Sequence, residues 1–177
     1  MAAQYLMYSP GMQHLLAWGG QQAGELMHKA LNLAAQTPRL YEAAGSWHDA
    51  ATDLRGSAAD LRDDTKPLGQ WKSSGASAFH DNYGRQLEHL DTMADSYEKA
   101  AATIAAVADR MAVTQEAFLA SAHAAGESVR SLVASGAEPL TLGRAVTSAW
   151  ASQANALLDQ CSAYTDQVAA TLSSLRA

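Results

Sequence analysis

The chain has 177 residues, 48% of them hydrophobic, which is enough for about one domain with a buried core and excludes wholesale disorder. Its 12 basic and 18 acidic residues leave a net charge of −6, so no basic face is offered to nucleic acid. A single cysteine, Cys161, excludes an intramolecular disulfide and a cysteine-rich metal site.

The N-terminal stretch MAAQYLMYSPGMQHLLAWGG lacks the basic start of a signal peptide, and Ser9, Pro10, Gly11 and Gln13 interrupt its apolar residues. No window along the chain approaches 18 apolar residues, so no membrane span is expected. A first helix is expected from about Leu15 to Gln36, weakened by Gly19, Gly20 and Gly24. Thr37-Pro38 reads as a cap with proline at the first helical position, opening a second helix that ends near Thr65 ahead of Pro67 and Gly69. Its seam is Leu40, Ala44, Trp47, Ala51, Leu54, Ala58 and Leu61, with a large residue every seven and alanine between.

A turn over 67–75 follows, and Trp71 stands in the middle of it. The next helix starts near Ser74 or Gly75, with Ser73 or Ser74 as cap. Its stripe runs Tyr83, Leu87, Leu90, Ala94, Tyr97, Ala101, Ile104, Ala108, Met111, Gln115 and Phe118. Gly126 and the segment Ser135 to Gly143 read as a second reversal. A last helix is expected over 143–175, with the seam Trp150, Ala154, Leu157, Cys161, Tyr164, Val168, Thr171 and Leu175. Alternation by two is absent over any useful length, and so is a fixed repeat.

Narrow 3.5-period seams of alternating large and small residues let long helices lie close together. The expected fold is therefore all-α. It is one elongated antiparallel helical bundle over 1–177, built on a long helix-turn-helix hairpin at 38–125 with flanking helices. At 1.5 Å per residue, a helix from about Ala76 to Ala125 would measure roughly 75 Å.

The chemistry-bearing residues do not assemble into a catalytic set. Glu25-Leu-Met-His28 has the Glu-x-x-His spacing of helical di-iron sites, but no second pair occurs and the seams carry no carboxylates. His80, His89 and His123 do not share a helix face, and His48 is expected to point away from the seam. Cys161 falls on an apolar seam, as a packed thiol would. Asp63-Asp64 and the pair Asp91 and Asp95 read as solvated helix charge. No Gly-x-Ser-x-Gly, phosphate loop or dinucleotide fingerprint is present. No enzyme, cofactor or metal is expected on these grounds.

A tryptophan at a hairpin turn either folds over the hairpin end or remains exposed as a recognition anchor. The segment Trp71-Lys-Ser-Ser-Gly75-Ala-Ser-Ala-Phe79-His-Asp-Asn-Tyr83 resembles the turn of the WxG family of type VII (ESX) secretion. The resemblance extends from Ser46-Trp47 through Leu54 and Leu61, and on through Leu87 and Leu90 to Met111. Length and added helices, with Thr114-Gln-Glu-Ala-Phe-Leu-Ala-Ser121 and the Trp150 to Tyr164 region, are more similar to the PPE-like branch. The glycine stands four residues after Trp71, no Pro-Pro-Glu occurs near the N-terminus, and no Tyr-x-x-x-Asp/Glu is present.

The resemblance implies a secretion substrate or secreted-complex subunit. It would be cytoplasmic before export and secreted or surface-located afterwards, without a cleavable signal peptide. It also implies a small helical partner of PE or WxG type, which would carry the missing tyrosine motif, and a secretion motif at Trp71, Gly75, Phe79 and Tyr83. A cytosolic secretion chaperone would grip an apolar tip at Leu132, Val133, Leu140 and Leu142, where a plain inter-helix loop is the alternative, and the ESX ATPase is a further implied partner. Other readings are a targeting or adaptor domain of a larger toxin-like secreted protein, a di-iron bundle, and a membrane-surface helix, which the acidic charge disfavours.

Overall fold

The computed structural model describes residues 9–175, which form five α-helices and a 3₁₀ turn, with no strand among the described residues. The all-α bundle expected from periodicity is the observed fold class. None of these helices is long and apolar enough to cross a membrane.

Helix α1, Pro10–Trp18, starts where the Ser9 hydroxyl accepts the Met12 N–H at 3.3 Å and Pro10 occupies the first turn. It stops at Gly19, and Gly20 has φ +71°, a left-handed conformation that costs glycine little. The single early helix expected from Leu15 to Gln36 is thus two, α1 and α2 (Gly20–Ala34). Helix α3, Thr37–Thr65, opens at Thr37-Pro38 as the sequence predicts. The Thr37 hydroxyl is buried and accepts from Gln115 Nε2 at 2.9 Å. Lys66–Gln70 form a 3₁₀ turn around Pro67 and Gly69.

Helix α4, Ser74–Ala134, is 61 residues long. Ser73 is its cap, the hydroxyl accepting from Ala76 N at 3.1 Å. Gly126 does not end it. A Cβ at Gly126 would overlap the Gly11 carbonyl, so this glycine serves backbone contact between α1 and α4. The helix closes instead at Gly136, φ +90°, with Gly136 N–H bonded to the Val133 carbonyl and Ala137 N–H to the Leu132 carbonyl. Helix α5, Pro139–Ser174, begins four residues before the expected Gly143. The Glu138 carboxylate accepts from Leu140 N at 3.2 Å and Thr141 N at 2.6 Å, and the Thr141 hydroxyl, followed by these backbone bonds, holds its pKa below the ordinary carboxylate value. Gly143 is a second close-approach position, where a Cβ would overlap the Trp18 carbonyl.

The helices group into two compact units. One comprises residues 9–39 with Val107–Gln167. Its core joins Met12 and Leu15 of α1, Ala23, Leu26 and Met27 of α2, Phe118 and Ala122 of α4, and Trp150, Ala154 and Leu158 of α5. Trp150 is only 6% exposed; its ring meets Phe118 at 5.4 Å and its N–H donates to Ser121 Oγ at 3.0 Å. Full burial of a side chain such as Leu15 contributes about 1.5–3 kcal/mol. In this unit α5 buries both Ala151 and Leu158 beside the expected seam, because its contacts widen beyond a single two-helix stripe.

The other unit comprises Leu40–Ala106 and the end of α5 from Val168. Here α3 and α4 run antiparallel. The alanines of the seam, Ala44, Ala51 and Ala58 against Ala94 and Ala101, are buried, whereas Trp47, Leu54, Leu87, Leu90 and Tyr97 are only half-buried and Leu61 is exposed. Small residues at the centre bring the backbones together, and the longer side chains then reach past the neighbouring helix. Trp47 and Tyr97 meet edge to face at 4.8 Å.

Two substitutions of one kind separate these roles. Gly126→Ala should destabilise by about 1–3 kcal/mol through overpacking, outweighing the gain in helix propensity. Gly56→Ala, with nothing near its Cβ position, should stabilise by about 0.5–1 kcal/mol. Chemical denaturation checks both signs. In the core, Trp150→Ala should cost about 3–5 kcal/mol in the same assay.

Candidate functional site

The turn between α3 and α4 builds an aromatic row. Phe79 and Tyr83 lie four residues apart on α4, on the same helix face, and stack at 5.7 Å with an interplanar angle of 17°. The three residues that link the 3₁₀ turn to α4, 71–73, include Trp71, which lies 6.0 Å from Phe79. His80 stands edge-on to Phe79 at 5.6 Å. Trp71 is 50% exposed and Phe79 36% exposed, in contrast to the enclosed Trp150. The Tyr83 hydroxyl is enclosed and has no hydrogen-bond partner among the described residues. Gly75 meets only Ser73 Oγ, 3.7 Å from its Cβ position, so no part of the chain crowds it. Three of the four residues expected for a secretion motif, Trp71, Phe79 and Tyr83, therefore form one continuous aromatic group, and Gly75 lies within an open surface.

The second expected group straddles the α4–α5 reversal. Leu132 and Val133 occupy the last turn of α4, and Leu140 and Leu142 the first turn of α5 rather than a loop. Leu132 and Leu140 are exposed, Val133 and Leu142 half-buried. The Glu138 cap places Leu140 and Leu142 in α5, since it starts the helix before them.

Several of the residues weighed for catalysis have structural partners. Glu25 accepts from Gln21 at 2.7 Å, and His28 is bonded to Asn32 at 3.1 Å, both on an exposed face of α2. Among the described residues no three His, Cys, Asp or Glu side chains gather as a metal site would require. Asp63 pairs with Lys66, Asp91 with Arg62 and Asp95 with Arg55. Half-buried His123 contacts the Ser9 hydroxyl at 2.8 Å, next to the start of α1.

Sequence reading missed an ionic row along one flank of the hairpin. His48 is exposed, but its Nδ1 lies 3.0 Å from Glu98, while Arg55 donates to Glu98 at 3.2 Å and to Asp95 at 3.1 Å. The signal was present as His48, Arg55 and Arg62 at spacings of seven, the same period as the seam. The His48 hydrogen bond, followed by that of Arg55, holds the Glu98 carboxyl below the ordinary carboxylate range. On the same helix pair, Ser46, Trp47 and Ala50 of α3 and Tyr97 of α4 line a shallow groove.

Cys161 is 2% exposed, and burial pushes its thiol pKa up, so the thiolate is disfavoured and the sulfur is shielded from reagents. Alkylation at neutral pH should be slow in the native protein and reach one thiol per chain in denaturant; rapid native labelling measured by mass spectrometry would contradict this. The chain matches no protein-family model, no curated protein and no solved structure, so its own geometry and the resemblance at Trp71 carry the functional reading.

Proposed function

We propose that this chain is a non-enzymatic helical subunit that acts by binding a second, helical protein, and that it is a substrate or secreted-complex subunit of type VII secretion. The observation that supports this most directly is the exposed aromatic row at the hairpin turn. A tryptophan that only sealed the hairpin end would be enclosed, as Trp150 is; Trp71 leaves half its surface in solvent beside exposed Phe79. Exposed aromatic anchors flanked by small residues, here Ser73, Ser74, Gly75, Ala76 and Ser77, are a common form of binding hot spot.

The half-buried seam residues of the hairpin add to this. Trp47, Leu54, Leu87, Leu90 and Tyr97 present apolar area that a further helix could cover, in the i, i+3, i+4, i+7 manner of helix docking. In this reading Trp71 and Tyr83 form half of an export signal, and the partner's tail supplies the other half close to Gly75. Leu132 and Leu140 would be available to a cytosolic chaperone before export, and the assembled signal to the secretion ATPase.

Co-expression with the short helical proteins encoded beside this chain tests the reading. A stable 1:1 complex is expected. Trp71→Ala should leave thermal unfolding of the free chain nearly unchanged, because the ring is half-exposed, yet weaken recognition by about 30-fold or more and remove export. A monodisperse chain that binds none of these proteins and is exported equally well with Ala at 71 would overturn the proposal.

A further inference from the structure

Helix α3 divides its surface lengthwise. Ala44, Ala51 and Ala58 are buried in the hairpin seam, and His48, Arg55 and Arg62 stand on one side of that line in the ionic row. On the other side Trp47, Leu54 and Leu61 follow at intervals of seven, the first two half-buried and Leu61 40% exposed. Tyr97, with half-buried Met93 one turn before it, completes this apolar flank from α4, and the groove at Ser46, Trp47, Ala50 and Tyr97 opens within it. To this unit α5 contributes only residues 168–174, about 10 Å at 1.5 Å per residue, whereas α3 runs through it from 40 to 65, about 39 Å. Most of the flank therefore has no third helix over it among the described residues of the unit.

Beyond that flank α3 carries an acidic stripe. Glu42, Asp49, Asp53, Asp60 and Asp64 succeed one another at intervals of 7, 4, 7 and 4, which places them within an arc of about 60° at 3.6 residues per turn. Groove and stripe share an edge, since Ser46 is one turn from Glu42 and Asp49, and Ala50 is one turn from Asp53. All five carboxylates are exposed, and none has an ion-pair partner among the described residues. Arg55 and Arg62 are the only Lys or Arg between 40 and 65, and both are committed to carboxylates of α4. Like charges four residues apart, Asp49 with Asp53 and Asp60 with Asp64, repel along the helix. The stripe thus brings the free chain no stabilisation of its own.

Resting on the reading of this chain as a subunit that binds a helical protein, we propose that the occupant of this flank is a helix of a different protein whose apolar seam is bordered by Lys or Arg. The apolar line and its groove receive the seam, and the carboxylates at their border receive the cations. Charge selects this occupant. A second copy of the chain would bring an identical acidic stripe, with its own α3 cations already paired, and is repelled. A helix without cations would leave the five carboxylates without counter-charge. Rim charges of this kind act mainly on the rate of encounter and its salt dependence, so the stripe steers a basic helix onto the groove.

Two synthetic amphipathic helical peptides, identical in a Leu/Ala heptad seam but flanked by Lys in one and by Glu in the other, probe the flank on the full chain by surface plasmon resonance. The Lys-flanked peptide should bind and the Glu-flanked one should not. Asp49→Asn, Asp53→Asn and Asp60→Asn together should slow association of the Lys-flanked peptide about tenfold at low salt and leave its dissociation nearly unchanged. About 1 M salt should do the same to the unmodified chain. Removing the same charge from the other unit, by Glu25→Gln, Glu116→Gln and Asp159→Asn together, should change association less than about twofold. Leu61→Ser should speed dissociation, and sedimentation velocity of the chain alone should show a monomer. Equal binding of both peptides, binding of neither, equal losses in the two neutralised variants, or a dimer of the free chain dispersed by Leu61→Ser would overturn the inference. The assay needs no native partner, and Trp71→Ala should leave it unchanged, so failure of this flank is distinguished from failure of the turn or of co-expression to yield a complex.

Discussion

Close approach of helix backbones is the constraint on which the rest of this structure depends. In the hairpin it is made by Ala44, Ala51 and Ala58 against Ala94 and Ala101, and in the other unit by Gly126 against Gly11 and Gly143 against Trp18. At such contacts dispersion between many atom pairs and the exclusion of water favour the pairing, while a single added methyl can overlap a carbonyl. The high helix propensity of alanine makes the same residues favourable before any contact forms. Local preference and tertiary packing therefore agree along most of the chain, which is the condition for a well-defined native state.

Close pairing also decides where the large side chains go. In the unit containing α1 and α2, four helices enclose a volume, and Phe118, Trp150, Leu15 and Leu26 fill it. In the hairpin, a seam of alanines has no such volume. Trp47, Leu54 and Tyr97 lie partly over its edges, and Trp71 and Phe79 remain in solvent at the turn. The same residue types thus serve as core in one unit and as exposed surface in the other. This contrast supports reading the hairpin as the part that receives a partner.

The ionic row adds direction more than strength. Exposed pairs such as Arg55 with Asp95 contribute little to stability, but they sit along one flank of the hairpin and favour the register in which they meet. The shallow groove at Ser46, Trp47, Ala50 and Tyr97 lies beside the His48–Glu98 contact, so the ionic row and the apolar surface are adjacent features of one helix pair.

Much of this was legible in the residues themselves. The 3.5-period stripes place the helices, Thr37-Pro38 and Ser73 mark starts, and Pro67 with Gly69 marks the turn, because each acts through its own backbone conformation. The aromatic spacing of Phe79 and Tyr83 likewise follows from helix geometry. What could not be read locally was the meaning of individual glycines. Gly20 breaks a helix through its positive φ, whereas Gly126 continues one, and the difference lies in the Gly11 backbone 115 residues away in sequence. Nor could the seam pattern show that the alanines would be buried and the large residues half-exposed, since that depends on how many helices surround each stretch. The sequence by itself determined helices, turns and stripes, because these are set by dihedral preference and period. Only the tertiary structure decided burial, ion-pair partners and the exposure of Trp71, because those depend on which distant segments come close.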